Sequence, residues 1–170
     1  MKFGELPLQD TLGCILAHSV RHAEGVFKKG RKLAANDLKL LAASNVSMVF
    51  VAKLDANDVP EDEAARTLAG KIAGSGASAQ EPFTGRANVY AQQRGLVVVD
   101  GLRVNAINRV HESMTLATLP NYHVVAKGQM IATVKIIPFA VGKENLDKAL
   151  AEIGNAPVIS GNTLSGNTNP

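Results

Sequence analysis

The apolar residues of this chain recur with two different spacings, one typical of helices and one typical of strands. Helical spacing marks four segments, at residues 38–42, 64–72, 102–110 and 146–153. Runs rich in β-branched residues lie between them and predict strands at residues 47–54, 96–99, 113–119, 123–126 and 130–137. This mixture of elements predicts the α+β fold class.

The two ends and one interior segment carry different patterns. Leu6, Leu8 and Leu12 fit one face of a short helix that Gly13 would end, and the apolar run that follows, to residue 20, favours a strand. Residues 74–80 are small and polar, which predicts a flexible loop. The chain from Gly154 onward is rich in Gly, Asn, Thr and Ser and predicts a flexible tail or linker.

These patterns divide the chain into two lobes and a tail. Residues 1–74 form a mixed helix and strand lobe, and residues 81–153 form a β-rich, barrel-like lobe with packed helices. Residues 154–170 form the tail.

Composition narrows the class of protein. The chain has 170 residues, of which 46% are hydrophobic, and this is enough apolar material for a folded core. No run of about 20 apolar residues is present, so we expect no membrane span, and the start lacks a secretory pattern. The net charge of +3 and 4% aromatic content argue against a nucleic-acid surface. We therefore expect a cytoplasmic protein.

Several residues with reactive side chains are explained by local structure, without a catalytic or metal-binding role. His18 and His22 share a helical spacing, but the surrounding pattern is that of a strand, so no metal site is expected. Cys14 lies in an apolar run and is interpreted as a buried thiol. The basic residues around Gly30 fit a solvated turn, with phosphate binding as the alternative. The acids at 61–63 fit the first turn of a helix.

The strongest candidate site comprises Thr84, Gly85, Arg86 and Asn88. Arginine is well suited to bidentate recognition of phosphate or carboxylate. Asparagine offers both a donor and an acceptor, and glycine permits close approach of the backbone. The pattern predicts a polar loop before a buried strand, a common place for binding residues.

Three stretches resemble the molybdopterin molybdenumtransferase family. The family's leucine-rich opening helix and G-x-x-L-A strand are similar to ELPLQDTLGCILAHSV here, and a later turn, helix and strand are similar to KGRKLAANDLKLLAASNVSMVFVAKL. The PF…A…YA loop of the family's cofactor site is similar to EPFTGRANVYA. Across residues 1–153 the chain most resembles the N-terminal region of bacterial proteins that fuse a molybdopterin-binding domain to a nucleotidyltransferase domain, chiefly through PFTGRAN and GQMIATVKIIPFAV.

Two departures shape what the resemblance implies. Asn88 and Val89 stand where the molybdenumtransferase loop has an Asp-Gly pair, and Asn cannot act as an anionic ligand or base. No G-x-G-x-x-G or P-loop is present, so nucleotidyl transfer is not encoded in these residues. The catalytic partner domain is therefore expected outside this chain, downstream or on a partner.

The resemblance implies a molybdopterin-binding or presenting accessory domain in molybdenum cofactor biosynthesis, without catalytic residues of its own. Arg86 would engage the pterin phosphate, Asn88 a polar edge of the ligand, and Gly85 would permit its approach. No metal is expected to be held by the chain itself. The alternative is a non-catalytic dimerisation or interaction domain, and a homo-oligomer is expected in either case.

Overall fold

A computed structural model describes the backbone of residues 1–163 and the side chains of residues 1–161. It confirms the α+β class, with α-helices and many antiparallel strands in small sheets. The helices are α1 (Ala35–Ala43), α2 (Glu61–Ile72), α3 (Gly101–Val110) and α4 (Lys143–Ile153). The strands are β1 (Lys2–Pro7), β2 (Ile15–Leu16), β3 (Val20–His22), β4 (Gly25–Phe27), β5 (Met48–Lys53), β6 (Asp58–Pro60), β7 (Ala77–Ala79), β8 (Arg86–Ala91), β9 (Gly95–Val99), β10 (Met114–Thr118), β11 (Val124–Val125), β12 (Met130–Ile136), β13 (Ala140–Gly142) and β14 (Ile159–Thr163).

The chain divides into two compact units, Met1–Asp58 and Val59–Pro170. This boundary differs from the expected lobes 1–74 and 81–153, because α2 belongs to the second unit. Its buried face, which includes Leu68 and Ile72, packs on β8 and β12. Among the described residues no sheet closes on itself, so the barrel-like form of the second lobe is not confirmed.

The first unit is built on an antiparallel sheet in the order β1-β5-β2. The helix predicted for residues 6–12 is wrong: β1 pairs with β5 throughout its length, and only a short 3-10 helix, Leu8–Asp10, follows. Helix α1 is confirmed, and Asn45 ends it with a positive φ of 60°. The core of this unit consists of buried apolar side chains: Leu8, Cys14, Leu16, Phe27, Leu33, Leu41, Val49 and Val51.

A buried carboxylate organises the start of α1. Asp37 is 4% exposed and accepts two hydrogen bonds from the Arg31 guanidinium, at 3.0 and 2.8 Å, and one from the Ala34 N–H at 3.0 Å. The Arg31 interaction, followed by the Ala34 N–H, holds the pKa of Asp37 below its ordinary value. The group therefore stabilises this unit above its unfolded pKa of about 3.9, and the contribution is lost as the pH falls through the lowered folded value.

The main sheet of the second unit has the antiparallel order β10-β12-β8-β7. One face is apolar and packs on α2, and β8 contributes Ala87, Val89 and Ala91 to it. The loop predicted for residues 74–80 is wrong in part, because Ala77–Ala79 forms the strand β7 at the edge of this sheet. A smaller sheet has the order β11-β9-β14.

The outer edge of β10 is paired with a side chain of α3. The Asn108 Nδ2 donates to the Leu116 carbonyl at 2.9 Å, and the Asn108 Oδ1 accepts from the Leu116 N–H at 2.7 Å. The carboxamide thus makes both bonds that a neighbouring strand would make to Leu116.

Asn108→Ala is expected to lower the free energy of unfolding of the second unit by about 1–2 kcal/mol, because two hydrogen bonds to a buried strand residue are lost. Urea unfolding followed by tyrosine fluorescence measures this, since Tyr90 and Tyr122 both lie in the second unit and the chain has no Trp. Asn105→Ala on the same helix is the control, because the Asn105 side chain makes no hydrogen bond within residues 1–161. Equal stability of the two variants would contradict the assigned role.

The chain beyond α4 is held by Arg103. Its guanidinium donates to three backbone carbonyls, those of Ile153 (2.6 Å), Ala156 (2.6 Å) and Pro157 (2.9 Å). Its Nε donates to the Asp100 carboxylate at 2.8 Å, and this contact holds the pKa of Asp100 below its ordinary value. A single side chain therefore connects the start of α3 to the exit of α4.

The strand β14 follows and pairs with β9 along its whole length, from Ile159 opposite Val99 to Thr163 opposite Gly95. The predicted flexible tail from Gly154 is therefore wrong for this strand, whose Ile159 is fully buried. The rest of the predicted tail, residues 164–170, lies outside the described residues. No helix in the described part of the chain is long and apolar enough to cross a bilayer.

Candidate functional site

A tight hairpin turn carries the residues that the sequence singled out. Phe83 and Arg86 exchange backbone hydrogen bonds at 2.9 and 3.2 Å across the two central residues, Thr84 and Gly85. Both central residues have positive φ, 49° and 71°, as in the type I′ turns that suit the twist of a hairpin. The turn therefore fixes the direction in which Arg86 begins β8.

Gly85 is packed against other parts of the second unit. Its N–H donates to the Asp62 Oδ1 at 2.7 Å, and its carbonyl accepts from the Ile136 N–H at 2.7 Å. A Cβ at this position would lie 2.6 Å from the Glu61 Oε2 and 2.7 Å from the Ile136 carbonyl oxygen. The close approach expected of Gly85 toward a ligand is thus made toward the first turn of α2 and the end of β12.

Arg86 and Asn88 lie on one face of a strand, not in a loop as the sequence predicted. The residues of β8 alternate, so that Ala87, Val89 and Ala91 face the core while Arg86 and Asn88 share the opposite face. Pairing with β12 places Lys135 directly opposite Arg86, and Thr133 directly opposite Asn88. The site is therefore part of the polar face of the main sheet.

A concavity of about 440 Å³ opens over this face. Its lining combines the turn, the polar face of β8, one residue of β12 and the chain after β7: Gln80, Glu81, Phe83, Thr84, Arg86, Asn88 and Lys135. Three of the four predicted site residues line it, and Gly85 does not. Phe83 is 78% exposed and presents an aromatic ring at the rim.

The charges of the concavity are uneven. Arg86 is exposed, and its guanidinium makes no hydrogen bond or ion pair within residues 1–161. The Lys135 ammonium donates to the Thr84 carbonyl oxygen at 2.5 Å, which is a neutral acceptor. Glu81 is the only carboxylate of the described lining, and it is already bound at 2.9 and 3.1 Å by Arg66. The concavity therefore presents two cations whose charge no carboxylate of the lining neutralises.

Buried polar atoms add hydrogen-bonding capacity beside the cations. The Asn88 Nδ2 donates to the Tyr90 hydroxyl at 3.3 Å, while the buried Asn88 Oδ1 has no partner among the described residues. The Thr133 hydroxyl opposite is buried and likewise has no partner in that part of the chain. Buried polar groups normally have partners, so this pair marks a place where the polar face is incompletely satisfied. The two cations of the lining suit the binding of an anion.

The other candidate residues have local structural roles. The His22 ring packs on Phe27 with centroids 4.1 Å apart, and the His18 ring lies 5.8 Å from that of Phe50. No group of three His, Cys, Asp or Glu within the described residues is placed to hold a metal ion. Cys14 is 1% exposed, and burial raises the pKa of its thiol, which disfavours a reactive thiolate.

Sequence reasoning missed Lys135 and the neighbouring residues of the concavity. Lys135 lies within an apolar strand pattern, and its place beside Arg86 depends on the register between β8 and β12. The alternation of R-A-N-V-Y-A was the available signal, since it predicts a strand with Arg86 and Asn88 on one face. No local signal gives the pairing of Arg86 with Lys135, which lie 49 residues apart in sequence.

The function implied by the resemblance to the molybdopterin molybdenumtransferase family stays a prediction. Scans of the chain against protein-family models and against curated proteins found no match.

Proposed function

We propose that this chain binds molybdopterin in the concavity of the second unit and presents it to a catalytic domain outside the chain. The observation that carries the proposal is the gathering of Arg86, Lys135 and Asn88 on one polar sheet face, where the one carboxylate of the described lining, Glu81, is bound by Arg66. The accessory role in molybdenum cofactor biosynthesis, a cytoplasmic location and a molybdopterin-handling partner domain are parts of the same proposal.

The chemistry of the ligand fits the residues present. Molybdopterin carries a phosphate, which suits Arg86 and Lys135 because a phosphate oxygen accepts charge-assisted hydrogen bonds from both side chains. Its pterin carries a polar edge with donors and acceptors, which suits the polar side chains of Asn88 and Thr84 that line the concavity. The exposed ring of Phe83 offers a surface on which a flat heterocycle can stack. A volume of about 440 Å³ lies in the range of small-molecule sites.

The neutral side chain of Asn88 favours a role in ligand binding over a role in catalysis. The related loop of the molybdenumtransferases has an acidic residue at the matching place, and the neutral amide here can orient a ligand without ligating a metal. A catalytic step in a domain outside this chain is part of the same proposal.

Arg86→Ala is expected to weaken molybdopterin binding by about 10- to 100-fold, because a hydrogen-bonded charge pair with the phosphate is lost. Anaerobic fluorescence titration of the full chain with molybdopterin measures the affinity. Arg94→Ala is the matched control, since Arg94 is an exposed arginine of the same unit that does not line the concavity. An unchanged affinity of Arg86→Ala for molybdopterin would contradict this proposal.

A second candidate function is dimerisation, and it rests on the first unit. The outer face of its sheet exposes Phe3 (57%), Met48 (43%) and Phe50 (41%), and the rings of Phe3 and Phe50 lie 5.5 Å apart. Grouped apolar side chains of this size are typical of interaction surfaces. Light scattering with and without molybdopterin separates the two functions: a stable dimer that binds no pterin would favour this second candidate.

A further inference from the structure

Lys135 and Arg86 form an unfavourable pair in the absence of a ligand. They lie directly opposite each other on neighbouring antiparallel strands, on the same face of the sheet. Like charges in this arrangement destabilise a sheet. The lining does not relieve this repulsion. Within the described residues the one hydrogen bond of the Lys135 ammonium is to the neutral Thr84 carbonyl, and Glu81 forms an ion pair with Arg66.

We infer that the concavity selects a phosphate monoester over a phosphodiester, and that Lys135 is the residue that makes this distinction. The inference rests on the proposed function for the identity of the ligand, and it specifies the charge state of the ligand phosphate that the site binds.

The two kinds of ester differ in charge, and only one of them matches the charge of the site. A phosphate monoester carries nearly two negative charges at neutral pH, with a second pKa of about 6 and three terminal oxygens. Two cations of the concavity match that charge. A phosphodiester carries one charge and two terminal oxygens, so one cation would stay uncompensated and one set of donors unused. Esterification of the ligand phosphate with a second group would therefore weaken its binding here.

The donors are placed to act together. The Lys135 ammonium has three N–H groups, of which one is used by the Thr84 carbonyl at 2.5 Å. The Arg86 guanidinium has its five donors available within the described part of the chain. Arg86 can hold two oxygens in a bidentate manner while Lys135 contributes a point charge to the third. A diester lacks the third terminal oxygen. It therefore leaves the Lys135 ammonium without a phosphate oxygen to bind.

The other charged groups near the site do not reproduce this selectivity. Asp62 and Glu61 contact Gly85 at the first turn of α2 and do not line the concavity. Glu81 lines it but forms an ion pair with Arg66. No histidine belongs to the described lining, so pH dependence near the second pKa of the ligand is expected to come from the ligand itself.

The test uses simple esters, so that it does not depend on the pterin. Phenyl phosphate and methyl phenyl phosphate are titrated into the full chain by calorimetry at about pH 8 and about pH 5.5, on either side of the second pKa of the monoester. The unaltered chain is expected to bind phenyl phosphate at least about tenfold more tightly than the diester at the higher pH, and to lose most of this preference at the lower pH. Equal affinities at the higher pH, or no measurable binding of either ester, would overturn the inference.

Variants then assign the selectivity to Lys135. Lys135→Met keeps the aliphatic stem and is expected to lower phenyl phosphate affinity by about tenfold while changing diester affinity by less than about threefold. Lys135→Arg is expected to retain the preference because the charge remains. Lys127→Met is the control, since Lys127 is an exposed lysine of the same unit outside the concavity. Tyrosine fluorescence confirms folding of each variant, and a preference that persists in Lys135→Met overturns the assignment.

Failure of this inference and failure of the proposed function give different results. If the esters are discriminated as expected but molybdopterin binds no better than phenyl phosphate, the site is a monoester site and the pterin proposal fails. If molybdopterin binds and Arg86→Ala weakens it, but the esters are not discriminated, only the selectivity inference fails.

Discussion

Replacing Gly85 with alanine is expected to destabilise the second unit by about 4 kcal/mol and to abolish binding at the concavity. The φ of 71° is unfavourable for a residue with a Cβ, which costs about 1–2 kcal/mol. The new methyl group would also lie 2.7 Å from the Ile136 carbonyl oxygen and 2.6 Å from the Glu61 carboxylate. Overpacking of this kind costs a further 1–3 kcal/mol or so. Urea unfolding followed by tyrosine fluorescence measures the loss.

A second glycine provides the control for this experiment. Gly70 lies in α2 and has open space where a Cβ would be placed. Gly70→Ala is therefore expected to stabilise the unit by up to about 1 kcal/mol, because alanine favours the helix over glycine. The opposite signs of the two Gly→Ala substitutions test the backbone argument directly. A Gly85→Ala variant as stable as the unaltered chain would show that the turn does not need its left-handed conformation.

Arg103→Ala is expected to lower the free energy of unfolding of the second unit by about 3 kcal/mol. The substitution leaves three backbone carbonyls, at Ile153, Ala156 and Pro157, without their charged donor. Hydrogen bonds to charged groups contribute about 1.5–3 kcal/mol each when removed singly, and their contributions are not additive. Hydrogen exchange at β14 is expected to accelerate more than exchange at β12, because Arg103 holds the segment that leads into β14.

Two further variants separate geometry from charge at this position. Arg103→Lys keeps the positive charge but not the planar fork that reaches several carbonyls, so most of the destabilisation is expected to remain. Arg109→Ala, at the exposed last turn of the same helix, is expected to change stability by less than about 0.5 kcal/mol. Full stability in Arg103→Lys would mean that charge alone matters.

The elements with strong local patterns could be predicted from the sequence. Helix α2 follows from its acidic first turn and its apolar stripe. Helix α3 follows from its apolar spacing, and Asp100 caps it, with the Arg103 N–H donating to the Asp100 Oδ1 at 3.1 Å. Strand β5 follows from its β-branched and aromatic residues. In each case the signal lies within the element itself, which is why a single sequence sufficed.

The elements that depend on distant partners could not be predicted. The leucines near the start of the chain fit a helix by spacing, yet β1 is extended because β5 pairs with it along six residues. Residues 77–79 and 159–163 look like linkers by composition, and each is a strand because β8 or β9 supplies its hydrogen bonds. Tertiary pairing outweighs weak local preference in all three segments.

The candidate site shows the same division. Thr84, Arg86 and Asn88 could be selected from residue chemistry alone, and the structure places them in one concavity. Lys135 could not, because it enters the site through strand register. The role of all four in binding a ligand stays a prediction.

The contact between Asn108 and Leu116 has a consequence for how the protein behaves among other chains. A carboxamide carries the same donor and acceptor as a peptide unit, so the sheet ends in a side chain where a further strand would otherwise fit. Open strand edges act as templates for aggregation, and natural proteins block them. Asn108 therefore occupies the outward backbone groups of Leu116. We expect Asn108→Ala to leave these groups open to pairing with a strand of a second molecule.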